Sequence, residues 1–156
     1  MYYVAYGSNI NLEQMKYRCP NSRVVCKGHI LNYKLVFNFH ADVIPFENEY
    51  APVLIWDIDK ADWWNLDRYE GYPKYYTKEI VKVETEDGDI IDAIVYVMAE
   101  DRKGFDLPSR DYFRTIKIGY LENNMNLDDL WKGVQYTYEK VQEEEYFQNV
   151  LHNYQL

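Results

Sequence analysis

Two places in the sequence carry residue types suited to chemistry: the stretch Tyr6-Gly7-Ser8-Asn9 and the carboxylate Glu70. Tyr2-Tyr3-Val4-Ala5-Tyr6 is strand material running directly into Gly7-Ser8-Asn9, and an amphipathic segment begins at Asn11. An apolar run closed by glycine and small polar residues reads as a strand, a tight turn and a helix start. Glycine imposes no Cβ and is free to take a positive φ, so neighbouring N–H groups can face outward together. Unpaired amides at such a turn form an anion or oxyanion site. The alternative reading is a turn with a structural role only.

Glu70 draws notice by its position. Asp59 is expected to cap a helix that runs to Tyr69 or Glu70, with Gly71 as its stop. Trp63, Leu66 and Glu70 then share one face, while Asp62, Asp67 and Arg68 lie elsewhere. A carboxylate on an apolar stripe is uncommon, because burying it unpaired costs several kcal/mol. The negative end of the helix dipole disfavours it further. Both effects raise its pKa, as a proton shuttle near neutral pH requires. Two readings without function compete: a helix that ends one residue early, leaving Glu70 in water, or an ion pair with a lysine or arginine. Gly71 and Pro73 turn the chain sharply after the carboxylate, and Tyr76 begins a strand whose hydroxyl is placed to reach back.

The elements that must position these groups can be read in order. Asn11 resembles an N-cap with Gln14 reaching back in a capping box, and the helix ends by Cys19-Pro20. Ser22 to Leu31 reads as a strand with Gly28 a bend or bulge. Tyr33 to Phe39 alternates, with Tyr33, Leu35, Phe37 and Phe39 on one face. His40 to Glu49 shows little periodicity and is expected to be a loop overhanging a site. Pro52 to Asp57 is a short strand. Tyr75 to Val83 and Ile90 to Met98 form a hairpin through Asp87-Gly88. Ser109 caps a helix carrying Tyr112, Phe113, Ile116 and Tyr120, and a last helix starts at Asn126 and bears the solvated run Glu143-Glu144-Glu145. The expected fold is α+β: a small, mixed, mostly antiparallel β-barrel or curved sheet with surrounding helices. One domain spans 1–156, with 141–156 a C-terminal helical extension.

Composition removes several function classes. The 156 residues carry a formal net charge of −9, which argues against a nucleic-acid backbone as partner. No apolar run reaches the ~20 residues of a membrane helix, and no basic segment followed by a long apolar one marks a secretory signal. The two cysteines, Cys19 and Cys26, read as reduced thiols of a cytoplasmic protein. His29, His40 and His152 have no metal-ligand spacing. The 17 tyrosines read chiefly as core, with a stacking surface as the alternative.

Three motifs in order, Tyr6-Gly7-Ser8-Asn9, then Leu66-Asp67-x-x-Glu70-Gly71 followed by a tyrosine and a strand, then Pro108-Ser109-x-x-Tyr112, resemble the gamma-glutamylcyclotransferase-like superfamily over residues 2 to 140. The resemblance implies a small mixed barrel, no metal or organic cofactor, and a small-molecule gamma-glutamyl substrate. It implies intramolecular aminolysis: the substrate's α-amine attacks its own γ-carbonyl, closes 5-oxoproline and expels the attached amine. It places Glu70 as the acid/base. Tyr6, Gly7, Ser8 and Asn9 would line the glutamyl pocket, with Tyr76 and Tyr112 as pocket tyrosines and Tyr75 as the alternative to Tyr76. A binding module using the same cavity without turnover is the rival reading. A cysteine hydrolase built on Cys19 or Cys26 with His29 finds no activating context.

Overall fold

A computed structural model describes residues 1–154, so the last two residues of the expected C-terminal extension lie outside the described residues. Five strands, β1 (Tyr2–Ala5), β2 (Arg23–Asn38), β3 (His40–Asp57), β4 (Tyr76–Thr85) and β5 (Ile90–Met98), close a barrel in the order β1-β3-β2-β4-β5. Every pairing is antiparallel except the closing one, where β1 runs parallel to β5 at Tyr3 and Ile94. Four helices surround it: α1 (Leu12–Arg18), α2 (Trp63–Glu70), α3 (Arg110–Glu122) and α4 (Leu127–Tyr154). This is the expected α+β barrel.

Closure puts Val4, Ile30, Val53, Ile55, Val83 and Val95 out of contact with water. The helices are tied on by close approaches. A Cβ at Gly119 in α3 would lie 2.7 Å from the backbone of Ile10 and Asn11, so α3 packs directly on the turn that follows β1. On α4, the Thr137 hydroxyl accepts from the Phe37 amide of β2 at 2.9 Å and donates to the Gly133 carbonyl.

β2 and β3 differ most from expectation. The segment His40 to Glu49 is strand and not an overhanging loop, and the two strands read over Ser22–Leu31 and Tyr33–Phe39 are one. Asn32, Phe39 and Asn48 adopt left-handed backbone, with φ of 59°, 67° and 63°. Each interrupts side-chain alternation, which hides the strand from a periodicity reading. Phe39 makes the entire hairpin turn, pairing Asn38 with His40, and its ring is exposed instead of facing inward with Phe37. Asn48 donates its amide to Asn32 Oδ1 at 3.1 Å, bracing the bulge where register shifts after Leu31. Gly28 is needed because its Cβ would meet the Glu84 carbonyl at 2.5 Å, where β4 crosses.

The helix bearing Glu70 starts at Trp63, later than expected, because Asp59 caps only the preceding turn through the Ala61 amide. Asp62 is buried instead, accepting from the Asn21 amide at 2.9 Å, Asn21 Nδ2 at 3.1 Å and the Ser22 hydroxyl at 2.7 Å. This carboxylate ties the start of α2 to the chain leaving α1. Gly71 ends α2 with φ of 65°, its amide bonding to Arg68. Asp62→Ala, which leaves buried donors unpaired, should lower unfolding free energy by about 2–3 kcal/mol in urea titrations.

Candidate active site

A cavity of about 370 Å³ is lined by residues from the end of β1, the starts of β3 and β4, the last turn of α2, and α3. It holds Tyr6, Gly7, Ser8, Asn9, Glu70, Tyr76 and Tyr112 together, although they span more than a hundred positions of chain. Tyr75 lines it too, so β4 entry presents both adjacent tyrosines. The remaining wall is Tyr3, His40, Ala41, Arg68, Tyr69, Gly71 and Tyr96.

Glu70 projects from the end of α2 into this cavity. Asn9 Nδ2 donates to Glu70 Oε1 at 3.0 Å and to the Tyr3 hydroxyl at 3.0 Å. Loss of hydration pushes the Glu70 carboxyl up to about 7, against the lowering influence of the Arg18 charge and of hydrogen bonding from Tyr3 and Asn9. Desolvation is the dominant cause, as its place on the apolar face of α2 requires.

The Gly7-Ser8-Asn9 turn is a single 3-10 turn over Ser8–Ile10, and it differs from expectation in one respect. Gly7 has φ of −113°, outside the left-handed region, and the demand for glycine seen here is one of space. A Cβ there would lie 2.9 Å from the Tyr112 hydroxyl and 3.2 Å from Ala41 Cβ. The amides of Gly7, Ser8 and Asn9 meet no acceptor among the described residues. Asn11 caps α1, accepting from the Gln14 amide at 3.0 Å, but the Gln14 side chain turns to Arg18 and does not close a capping box.

Tyr76 and Tyr112 hold the two peptide groups that flank the Ala41 Cα. The Tyr76 hydroxyl donates to the Ala41 carbonyl at 3.0 Å, and the Ala41 amide donates to the Tyr112 hydroxyl at 3.1 Å. Because Tyr112 accepts there, its own proton is free for another partner. The next residue, Asp42, is fully buried and accepts from the Met98 amide at 2.9 Å and Asn38 Nδ2 at 3.1 Å. Ala41 is therefore held rigidly, and the segment expected to overhang the site contributes backbone to its wall. On the far side, the Tyr6 hydroxyl donates to the Tyr96 carbonyl at 2.5 Å. The Tyr96 hydroxyl donates to Asp67, which pairs with Lys78 at 2.6 Å.

Residues 3–114 match the family model described as gamma-glutamyl cyclotransferase, AIG2-like. The chain belongs to this family. It stands with the gamma-glutamylcyclotransferase-like enzymes in sequence and in fold. Gamma-glutamylcyclotransferase of Homo sapiens is 28% identical over 139 residues, covering 81% of this chain and 73% of that protein. The Mus musculus protein of the same name is 27% identical over 136 residues, covering 79% and 71%. A solved structure described as gamma-glutamyl cyclotransferase superposes with a TM-score of 0.77 at 26% identity, covering 85% of each chain.

Some groups around the site of this gamma-glutamylcyclotransferase-like chain are not singled out by its motifs. Arg18, behind the cavity wall, is the chief one: it bonds Asn9, Ser8 and Gln14, and its guanidinium lies 3.5 Å over the Tyr69 ring. Its only sequence signal is the i, i+4 spacing from Gln14. Both cysteines are free thiols. Cys19 is buried and pushed up to about 12, and His29 faces Asp129 at 3.7 Å, so neither forms a nucleophile–base pair. Among the described residues no group of three His, Cys, Asp or Glu side chains is placed to hold a metal, and no helix is long and apolar enough to cross a membrane.

This geometry gives two expected outcomes. Gly7→Ala should displace the Tyr112 hydroxyl and cost about 1–3 kcal/mol of stability. Adding Tyr112→Phe should recover part of that loss, a coupling that chemical denaturation of the single and double variants measures. Glu70 should also make stability pH-dependent in the direction opposite to an ordinary paired carboxylate. Its folded pKa of about 7 lies above the ordinary 4.5, so the folded state holds the extra proton between those values. Stability therefore falls as pH rises through that window and levels off above it. Glu70→Gln should match wild type near pH 4 and exceed it above pH 7.5 by on the order of 3 kcal/mol.

Proposed function

We propose that the protein releases 5-oxoproline from a gamma-glutamyl amide or dipeptide, with Glu70 moving the protons. The observation that carries this reading is a desolvated carboxyl with a pKa of about 7 inside a small cavity, oriented by the same turn whose amides are free. At 370 Å³ the cavity is at the small end of ligand sites, suited to a glutamyl headgroup.

The α-amine of the substrate, with a pKa of roughly 8, must lose its ammonium proton before it can attack. The free amine attacks the γ-carbonyl carbon within the same molecule, so the enzyme needs no nucleophile of its own. Folding the glutamyl chain so that amine and carbonyl meet supplies the proximity term, which reaches about 7–11 kcal/mol in well-oriented systems. Ionised Glu70 takes the ammonium proton so that the amine can attack, and passes it to the departing nitrogen as the old C–N bond breaks. The proton then shed by the new lactam nitrogen returns to Glu70 and leaves with the released amine as its ammonium form. The Gly7-Ser8-Asn9 amides are available to the α-carboxylate or to the developing oxyanion. The free proton of Tyr112 and the ring of Tyr76 bound the headgroup. No step in this scheme calls for a cofactor, and the tyrosine-rich mouth takes the leaving amine.

Incubated with a panel of gamma-glutamyl amides and dipeptides, the purified protein should release 5-oxoproline from at least one. For that substrate kcat/KM should fall as pH drops through about 7, and Glu70→Gln should lower it by about 10²- to 10⁴-fold while remaining folded. Binding of the panel without release would favour a non-catalytic binding protein, and full activity in Glu70→Gln would remove this residue from the mechanism.

A further inference from the structure

With Glu70 as the proton carrier, the reading on which this inference rests, one of its two oxygens must hold the proton. The neighbouring amide decides which. We propose that Arg18 is a positioning residue for Glu70: by anchoring the Asn9 carbonyl oxygen it fixes the polarity of the Asn9 amide. Glu70 Oε1 then stays an acceptor, and the transferred proton rides on Oε2.

A guanidinium has donors only, so whatever faces it must accept. Arg18 Nη1 donates to Asn9 Oδ1 at 2.6 Å and to the Ser8 hydroxyl at 3.1 Å, while Nη2 donates to Gln14 Oε1 at 2.5 Å. Asn9 is only 3% exposed and cannot turn to water for a substitute partner. With its oxygen committed to Arg18, its two amide hydrogens point to the Tyr3 hydroxyl and to Glu70 Oε1, each at 3.0 Å. The flipped amide would set Oδ1 against the carboxylate and Nδ2 against the guanidinium, leaving two repulsive contacts in a desolvated site. Oε1, already receiving an N–H, would become a poorer acceptor on taking the proton, so the Asn9 bond favours the proton on Oε2.

Arg18 also joins both halves of the site. Its guanidinium lies over Tyr69, the neighbour of Glu70, and the Tyr69 hydroxyl is 3.1 Å from Ser8 Oγ. One side chain therefore couples the end of α1, the Ser8-Asn9 turn and the last turn of α2. The titratable groups around Glu70 are Tyr3 and Tyr6 at β1, Arg18 and Cys19 at the end of α1, His40 on β3, Arg68 and Tyr69 on α2, Tyr75 and Tyr76 at the entry of β4, Tyr96 on β5 and Tyr112 on α3. Of their charges, that of Arg18 lowers the Glu70 pKa against desolvation.

The test uses Arg18→Gln and Arg18→Lys in the full chain, read by pH–rate profiles on a turned-over gamma-glutamyl amide and by ¹³C titration of the Glu70 carboxyl without substrate. Arg18→Gln should lower plateau kcat by about 10- to 100-fold with KM changed less than about threefold. Its acidic limb and its carboxyl midpoint should both move up by about half a pH unit or more. Arg18→Lys keeps the charge but not the forked grip, so its midpoint should stay near wild type while kcat still falls. An unmoved midpoint in Arg18→Gln, or a loss confined to KM, overturns the proposal. Should Arg18→Gln fail to fold, wild-type kcat in Arg18→Lys overturns it and a lowered kcat with an unmoved midpoint supports it. If wild type turns over no gamma-glutamyl amide, the functional reading fails on its own, and the substrate-free titration still decides the role of Arg18.

Discussion

The hydrogen bond from Asn9 to Glu70 is the contact on which the site depends. It joins a turn at the start of the chain to a helix end 61 positions later, in a part-buried setting where loss of hydration pushes the Glu70 carboxyl up. A carboxylate at the last turn of a helix, on the apolar face, would ordinarily be driven out or paired. Here the barrel holds it in place. β1 delivers the turn, α3 presses on that turn through Gly119, and Asp62 fastens the start of α2 to the segment leaving α1. The surrounding fold offsets the desolvation of Glu70, and the result is a carboxyl able to take and give a proton near neutral pH.

The tyrosines divide into distinct jobs. Tyr76 and Tyr112 hold the backbone of Ala41 at its carbonyl and its amide, Tyr6 fastens the chain leaving β1 to β5, Tyr96 connects the wall to the Asp67–Lys78 pair, and Tyr69 receives the face of Arg18. Each presents an apolar ring to the cavity and commits its polar tip to the frame. Among the polar groups left for a ligand are the amides of the turn and the proton of Tyr112.

Much of this is readable from residue order, and the failures share one cause. The apolar spacing of Trp63, Leu66 and Glu70 exposes the misplaced carboxylate, and Asp87-Gly88 announces the β4–β5 hairpin, because helix faces and tight turns are set by neighbours in sequence. The long β2–β3 ribbon is hidden, since Asn32, Phe39 and Asn48 take left-handed backbone and reset the alternation. Gly7 invites an argument from backbone freedom, yet its φ is ordinary and the constraint comes from Tyr112 and Ala41, far along the chain. Arg18 looks like an ordinary basic residue at a helix end. Its importance exists only once α1, the turn and α2 converge, a fact held by tertiary packing and by no local pattern.

The central claim, that a desolvated Glu70 is the group whose protonation governs chemistry, is tested most directly by following its carboxyl carbon by ¹³C NMR across pH in wild-type protein. That titration is set beside the pH dependence of 5-oxoproline release. A proton-carrying Glu70 should show a carboxyl midpoint near 7 that coincides with the acidic limb of the rate profile. A midpoint in the ordinary carboxylate range of about 4 to 5, or a rate limb that does not follow the carboxyl titration, would contradict it.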